Sequence, residues 1–307
     1  MHAHRTVLRH LLLAAAMLVP AARAPATERA SAWQDVVLPE ARQLDVTSRT
    51  TGHGYRIFVA APAGPAPATG HPLLVVLDGN AAFPVAAFLA RSAAARSEVT
   101  GHAPPVVVGI GYPGARDFDV PARKRDYTPG RPDAPATEGG AASFLDFIEQ
   151  EVKPLVASRH SIDPQRQALF GHSFGGLFVL HALFSRPDSF STFIASSPSI
   201  WWQDKLVLDG LPRYEKLDPA RRPRVQISVG SLEDAPRKGN YSPETLALIA
   251  SRPMVPEARA LARRLQQAPG AEGRVAFHEL AGEDHGPAWL PAMTRGMQFF
   301  LEQPASP

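Results

Sequence analysis

The chain has 307 residues, of which 45% are hydrophobic and 20% charged, so its composition is that of a globular protein with enough material for a large core. It has no cysteine, which excludes disulfides, thiolate catalysis and cysteine zinc sites. Its 32 basic residues exceed its 29 acidic residues by three, and three arginines, Arg5, Arg9 and Arg23, lie at the N-terminus. The remainder of the chain is charge-balanced, so we expect no nucleic-acid partner despite the basic isoelectric point.

Residues 1–26 have the pattern of a secretory signal peptide. Arg5 and Arg9 precede the apolar run LLLAAAMLVPAA, which is too short to span a bilayer. ARA at 22–24 and APA at 24–26 both fit the small-x-small cleavage pattern. We favour the second, because Pro25 would directly follow a cut after Ala24 and make that bond a poor substrate. We therefore expect residues 27–307 to be exported, without a membrane span, and the lack of cysteine is compatible with a bacterial periplasm. A buried N-terminal helix and an uncleaved membrane anchor are the alternatives.

Apolar runs predict the strands of a mostly parallel sheet. Two alternating segments, 42–48 and 55–62, predict antiparallel edge strands. The later runs include continuous apolar stretches, which are typical of strands covered on both faces. These further strands are predicted at 72–78, 104–112, 166–172, 190–197, 224–230 and 274–280.

Helical patterns between these strands predict one doubly wound α/β domain over residues 27–307. The helices are predicted at 81–97, 143–160, 174–186 and 288–303. Segment 113–142 is the one long irregular stretch, and loops of that length inside compact domains tend to be functional covers.

The pentapeptide GHSFG around Ser173 predicts a nucleophile elbow. Such an elbow needs a strand before the serine and a helix directly after it, and QALF and GGLFVLHALF supply them. Gly171 and Gly175 leave room around the turn, and Gly176 lets the helix pack close to the sheet. The helix N-terminus then favours negative charge developing at the serine. The alternative is a structural strand-to-helix turn.

A serine hydroxyl needs a base, and His285 fits that role because it follows the last predicted strand. His278 lies within that strand and is interpreted as a packing residue. His181, on the apolar face of the helix after the serine, is interpreted as a core histidine. His172 adjoins Ser173 and would have difficulty turning back onto the neighbouring hydroxyl.

The orienting acid is expected after the strand that precedes the histidine strand, where Glu233 and Asp234 lie. We favour Glu233; the alternative is that both acids are solvated loop residues. Glu283 and Asp284 are too near His285 in sequence to bend back easily onto its Nδ1.

The oxyanion hole is expected to use the backbone N–H of Phe174, directly after the nucleophile. A second donor is expected in the loop after an earlier strand, where Gly79 permits unusual dihedral angles. Asn80 could donate there from its backbone or its side chain. We expect no cofactor and no metal.

The sequence resembles the ferric-siderophore esterases, the enterochelin esterase group of the esterase D-like α/β hydrolases. The resemblance lies in LLVVLDGNAAF, VVVGIGYPG, RKRDYTP, ALFGHSFGG, SPSIWW, ISVGSLE and GEDHGPAW, in consistent order over nearly the whole chain after residue 26. RKRDYTP and SPSIWW are its more specific parts. The resemblance implies hydrolysis of the trilactone backbone of catecholate siderophores, or of related ester siderophores, by an exported enzyme.

By position, the resemblance makes Ser173 the nucleophile and His285 the base, and it places Arg125, Tyr127 and Trp201 in substrate-facing segments. It leaves the acid open, because the exported branch is able to work with a Ser–His pair. A ferric catecholate is a bulky anion with aromatic faces, which guanidinium groups and flat rings would suit. The alternatives are that the basic run at 123–125 is a solvated loop, and that at least one of Trp201 and Trp202 packs in the core.

Two other functions remain open. A carbohydrate acetyl or feruloyl esterase, or another small-acyl esterase of this fold, would use the same catalytic pair. A catalytically silent α/β-hydrolase domain that binds a ligand or partner is disfavoured by the presence of Ser173 and His285.

Overall fold

The structure, a computed structural model, describes Trp33 and residues 35–235 and 241–302. The predicted signal peptide lies outside the described residues. The described residues within Leu38–Pro307 form one compact unit. Among the described helices, none combines the length and apolar character needed to cross a bilayer.

A single sheet of eight strands runs through the described residues, in the order β1-β2-β4-β3-β5-β6-β7-β8. β1 pairs antiparallel with β2 and β2 antiparallel with β4, while all other pairs are parallel. The predicted parallel sheet is therefore confirmed, but of the two predicted edge strands only β1 lies at an edge. The strands are β1 Ala41–Thr47, β2 Gly54–Ala60, β3 His71–Leu77, β4 Val106–Gly111, β5 Ile162–His172, β6 Thr192–Ser196, β7 Arg224–Gly230 and β8 Val275–Leu280.

The helices of the described residues follow and separate these strands. They are α1 Gly79–Ala94, α2 Ser97–Thr100, α3 Val120–Tyr127, α4 Ala141–Phe147, α5 Lys153–Ala157, α6 Phe174–Ser185, α7 Leu211–Glu215, α8 Pro243–Ala250, α9 Val255–Gln266 and α10 Trp289–Leu301. Short 3₁₀ turns occur at Pro187–Ser189, Leu206–Gly210 and Pro219–Arg221.

Both faces of the central strands of the sheet are buried, as the continuous apolar runs predict. Along β3, Leu73, Val75 and Leu77 pack into one core with residues of α4, α6 and α9. The alternate residues, Leu74 and Val76, pack into a second core with residues of α1 and α10. Successive side chains of a strand point to opposite faces, so an apolar residue at every position stabilises both layers.

The segment predicted to be wholly irregular, 113–142, contains the helix α3, and this corrects the sequence prediction. Asp119 caps the helix, because its side chain accepts a hydrogen bond from the Ala122 N–H at 3.1 Å, and Pro121 lies in the first turn. The helix escaped detection because two of the four residues that it buries are charged, which masks its helical periodicity.

The helix predicted over 143–160 is interrupted. Ile148–Val152 forms a π-helical turn between α4 and α5, and Pro154 follows as the second residue of α5. Proline has no N–H to donate to the helix, and a π-turn is one of the ways in which a helix accommodates such a break.

Candidate active site

Ser173 lies in a sharp turn between β5 and α6. Its backbone has φ +62° and ψ −117°, a region that residues other than glycine seldom adopt. The turn is anchored to the end of β6, because the Ser173 N–H donates to the Ser196 carbonyl at 2.9 Å and the Ser173 carbonyl accepts from the Ser199 N–H at 3.2 Å. This strained strand–turn–helix geometry is that of a nucleophile elbow.

Two of the three glycines next to Ser173 are required because a Cβ atom at either position would clash with the backbone. A Cβ on Gly171 would lie 2.3 Å from the Gly175 carbonyl oxygen, and a Cβ on Gly176 would lie 2.6 Å from the Ser196 carbonyl oxygen. Gly176 therefore lets α6 pack close to β6, as predicted. The nearest atoms to a Cβ on Gly175 are 3.6 Å away, an ordinary van der Waals distance, so Gly175 is not required by lack of space.

The structure brings Ser173, His285 and Glu233 together at the carboxyl edge of the parallel strands. The Nε2 atom of His285 lies 2.9 Å from Ser173 Oγ, and its Nδ1 atom lies 2.6 Å from Glu233 Oε2. The Glu233 side chain has no exposed surface, whereas that of His285 is 45% exposed. A carboxylate that accepts from Nδ1–H leaves Nε2 free to take the serine proton, so this arrangement can generate a nucleophile.

Glu233 is itself held in place by two further donors. Its Oε1 atom accepts from Ser197 Oγ at 2.5 Å and from the Gly230 N–H at 2.7 Å. The neighbouring Asp234 points elsewhere, accepting from the backbone N–H groups of Met254 and Val255 at the start of α9. Of these two acids, Glu233 alone contacts His285.

His172 packs against His285 and does not reach Ser173 through a hydrogen bond. The two imidazole centroids are 4.8 Å apart, and His172 Nδ1 lies 3.0 Å from Ser196 Oγ. Burial lowers the pKa of His172 well below its usual range, and the charges on His285 and Arg123 lower it further. His172 therefore stays neutral at ordinary pH and adds no charge to repel a protonated His285.

The other two histidines that were considered lie away from Ser173. His181 is nearly buried on α6, where its Nε2 has no hydrogen-bond partner within the described part of the chain. Burial lowers its pKa to about 4. His278 lies within β8, as predicted.

The predicted oxyanion donors begin two helices that follow neighbouring strands. Phe174 starts α6 after β5, and Gly79 starts α1 after β3, so two N-terminal turns reach the same edge of the sheet. The first N–H groups of a helix have no acceptor within it and are available to an anion. The Asn80 side chain is engaged, since Oδ1 accepts from the Tyr112 N–H and Nδ2 donates to the Tyr112 carbonyl. Asn80 can therefore contribute only its backbone.

A pocket of about 260 Å³ opens over Ser173 and His285. Trp201, predicted to face the substrate, lines it, whereas Trp202 is buried and donates from Nε1 to the Pro129 carbonyl. The remaining lining comes from Arg123, Phe174, Ser199, Glu233, Leu248, Ile249, Arg252 and Met254.

Arg125 and Tyr127 do not line this pocket, which corrects the sequence prediction. Tyr127 is fully buried, and its hydroxyl accepts from the Asp78 N–H at 3.2 Å. Arg125 forms a two-point ion pair with Asp126, at 2.8 Å for each contact. Because RKRDY is helical, successive side chains point about 100° apart, and the arginine that faces the pocket is Arg123.

Arg123 is buried between the nucleophile turn and the end of β3. It donates from Nε to Asp78 Oδ1 at 2.7 Å and from Nη2 to the His172 carbonyl at 3.2 Å. Its guanidinium also lies 5.9 Å from the Phe174 ring centroid. Recognising α3 in the sequence would have indicated this residue, because Arg123 and the buried Tyr127 are one helical turn apart.

The pocket residues Leu248, Ile249, Arg252 and Met254 were not foreseen. They belong to α8 and to the segment between α8 and α9, for which no element was predicted. α8 has no buried residue, so its sequence carries no core-facing stripe that would have revealed it.

A family model described as a putative esterase matches residues 48–300. Ferri-bacillibactin esterase BesA of Bacillus subtilis is 35% identical, over 83% of this chain and 88% of its own. The siderophore triacetylfusarinine C esterase of Aspergillus fumigatus is 37% identical, over 75% of this chain and 82% of its own. The solved siderophore hydrolase EstB of Aspergillus nidulans superimposes with a TM-score of 0.77 at 32% identity, covering 90% of this chain and 99% of its own.

Proposed function

The chain belongs to the ferric-siderophore esterases of the putative-esterase family, and from this premise we propose that it cleaves the trilactone backbone of catecholate siderophores, iron-loaded or iron-free. Membership of the family makes the chain an ester hydrolase. The catecholate substrate, the roles of individual residues and the exported location are the parts that we propose.

In the proposed reaction, Ser173 Oγ attacks an ester carbonyl while His285 Nε2 takes its proton. The tetrahedral intermediate collapses, and the released alcohol oxygen takes that proton from His285, which leaves the acyl group on Ser173. Water then attacks the acyl group with the help of His285 and frees the serine. Glu233 accepts from His285 Nδ1–H and fixes the orientation of the ring.

The developing oxyanion is assigned to the backbone N–H of Phe174 and to the N–H groups of Gly79 and Asn80. Donors that are already oriented before the reaction cost no reorganisation when charge develops, which is why such sites accelerate acyl transfer. The strained turn at Ser173 supports this assignment, because it sets the hydroxyl directly before the N-terminus of α6.

The observation that carries the proposal is the contact of His285 with Ser173, in a pocket that also presents a guanidinium and flat rings. Arg123 lines the pocket beside Phe174, whose ring lies 6.1 Å from that of Trp201. A large aromatic ligand is attracted to such a surface through ring contacts, and the guanidinium of Arg252 in the same lining adds charge attraction for an anion.

The test is a comparison of kcat/KM for purified residues 27–307. The substrates are a trilactone tris-catecholate siderophore, with and without iron(III), a feruloylated sugar and an acetylated sugar. We expect the siderophore to be the preferred substrate. Turnover of a sugar ester with an intact siderophore would replace the proposal by a carbohydrate esterase of the same fold.

We also propose export through residues 1–26, on the basis of the charged and apolar pattern of the N-terminus. Intact-mass analysis of protein from the periplasmic fraction should give a chain that begins near Thr27. A periplasmic protein that retains residues 1–26 would contradict cleavage.

A further inference from the structure

We propose that Arg252 and Trp201 form a subsite for an anionic aromatic group, such as a catecholate bound to iron(III). This inference rests on the proposed function, which it extends from the ester bond to the part of the ligand that carries the charge. Neither the segment that contains Arg252 nor its position at the pocket was foreseen from the sequence.

The two side chains form a preassembled pair. The Arg252 guanidinium lies 4.4 Å from the centroid of the Trp201 ring, and both residues are partly buried in the pocket wall. A guanidinium stacked on indole keeps its N–H edges free for an acceptor while the ring fixes its plane. The pair therefore offers a flat ring face and oriented donors side by side.

The pair is connected to the reacting groups through Phe174. The Trp201 and Phe174 rings are 6.1 Å apart, and Phe174 directly follows the nucleophile. A ligand held on Trp201 and Arg252 can therefore extend toward Ser173 past the Phe174 ring. One molecule can in this way present its ester to the serine and its charged end to the arginine.

Among the described residues, Arg252 differs from Arg123 in having no carboxylate partner. Arg123 is neutralised by Asp78 at 2.7 Å, whereas no acidic side chain in the described part of the chain forms an ion pair with Arg252. The other charged lining residue, Glu233, contacts His285. Among the described residues that line the pocket, Arg252 is therefore the arginine without a carboxylate partner.

The apolar residues around Arg252 increase the effect of that charge. Leu248, Ile249 and Met254 line the same pocket. A bound ligand that covers them excludes water from the guanidinium, and electrostatic attraction is stronger in the lower effective dielectric. A neutral ligand of the same size gains the apolar contact without the charge contact.

The test compares two iron(III) complexes as inhibitors of the hydrolysis of neutral p-nitrophenyl butyrate. One is an amide-linked tris-catecholate complex, a multiply charged anion with no ester to cleave. The other is a neutral cyclic tris-hydroxamate complex. The variants are Arg252→Met, which removes the charge and keeps the length, Arg252→Lys, which keeps the charge, and Trp201→Leu, which removes the ring.

We expect Arg252→Met to weaken inhibition by the anion relative to inhibition by the neutral complex by roughly ten- to a hundredfold, the cost of one charge-assisted contact. Arg252→Lys should recover part of that loss, and Trp201→Leu should weaken inhibition by the anionic complex. The matched control is Arg263→Met, which removes an exposed arginine of α9 outside the pocket lining and should leave both inhibition constants unchanged.

The subsite is refuted if Arg252→Met changes both inhibition constants equally, or changes neither. Failure of the proposed function would show up differently, as a wild-type protein that leaves an ester-linked siderophore intact. If Arg252→Met selectively weakened inhibition by the anionic complex in that case, the result would still support the subsite.

Discussion

Glu233 Oε2 lies 2.6 Å from His285 Nδ1, with the carboxylate buried and the imidazole partly exposed. The acid is thus fixed inside the domain by Ser197 and Gly230, and the base extends from it toward the pocket. This relationship gives the acid a defined task, to hold one tautomer and one ring orientation of His285, and it can be tested without disturbing the serine.

Glu233→Gln should lower kcat by on the order of 10³- to 10⁴-fold, because an amide that donates to Nδ1 favours the tautomer in which Nε2 carries the proton. The measurement is steady-state hydrolysis of p-nitrophenyl butyrate, with circular dichroism to verify folding. Asp234→Asn is the matched control, since Asp234 serves the start of α9 and an asparagine oxygen can still accept there. A kcat that is unchanged by Glu233→Gln would show that Ser173 and His285 suffice.

Gly176→Ala should destabilise the fold by about 1–3 kcal/mol, because the added methyl would meet the Ser196 carbonyl at 2.6 Å. Gly175→Ala, one position earlier in the same helix, meets nothing closer than 3.6 Å and should retain or raise the melting temperature. Thermal unfolding of the two variants measures the difference. Equal losses would show that the close approach of α6 to β6 is not what selects glycine at 176.

Arg123→Met should destabilise the protein by roughly 3–5 kcal/mol, since it leaves the buried Asp78 carboxylate without its partner. Adding Asp78→Asn should recover part of that loss, because asparagine is uncharged and tolerates the left-handed backbone at this position. Urea unfolding of the single and double variants gives the coupling. Strictly additive losses would indicate that the two side chains contribute independently.

Glu151 links the β1–β2 turn to the helical segment after α4. Burial raises the pKa of its carboxyl, but hydrogen bonds from Thr50, from the Arg49 N–H and from Ser48 outweigh burial and lower the pKa to about 2. A carboxyl whose pKa is depressed by folding stabilises the protein above its unfolded pKa, and this contribution is lost as the pH falls toward the folded pKa.

Glu151→Gln should therefore lower the melting temperature at pH 7 and have a smaller effect near pH 3. The contribution of Glu151 is complete above its ordinary pKa of 4.5 and decreases between that pH and about 2. Melting curves of both proteins across this range provide the measurement. A melting-temperature difference that is constant with pH would assign the loss to packing.

Much of the fold could be predicted because the central parallel strands β3 and β4 are apolar and buried on both faces. In β3 the residues from Leu73 to Leu77 are all apolar and buried, a pattern typical of a strand covered on both faces. The alternation of such runs with helical patterns then predicts the order of strands and helices. Ser173 and His285 were indicated by their places after β5 and β8, since the ends of parallel strands meet at one edge. Glu233 was indicated by the same rule, but its position inside the domain also depends on a hydrogen bond from Ser197, which follows β6 and is distant in sequence.

The substrate surface was less predictable, for two physical reasons. First, the resemblance placed Arg125 and Tyr127 in a substrate-facing segment that was predicted to be irregular, whereas that segment contains α3, which directs Arg123 to the pocket. The second reason is α8, which covers the pocket without burying any residue of its own. Arg252 is placed by tertiary structure alone, and no local pattern in the sequence indicates it.

The most direct test of the account is product analysis of an iron(III)-loaded trilactone siderophore incubated with wild type, Ser173→Ala and His285→Ala. We expect mass spectrometry to find linear products that have gained water in the wild-type reaction. With either variant the ester should remain intact over the same period, with any residual rate lower by several orders of magnitude. A siderophore left intact by the wild-type enzyme, or cleaved at a similar rate by Ser173→Ala, would contradict the account.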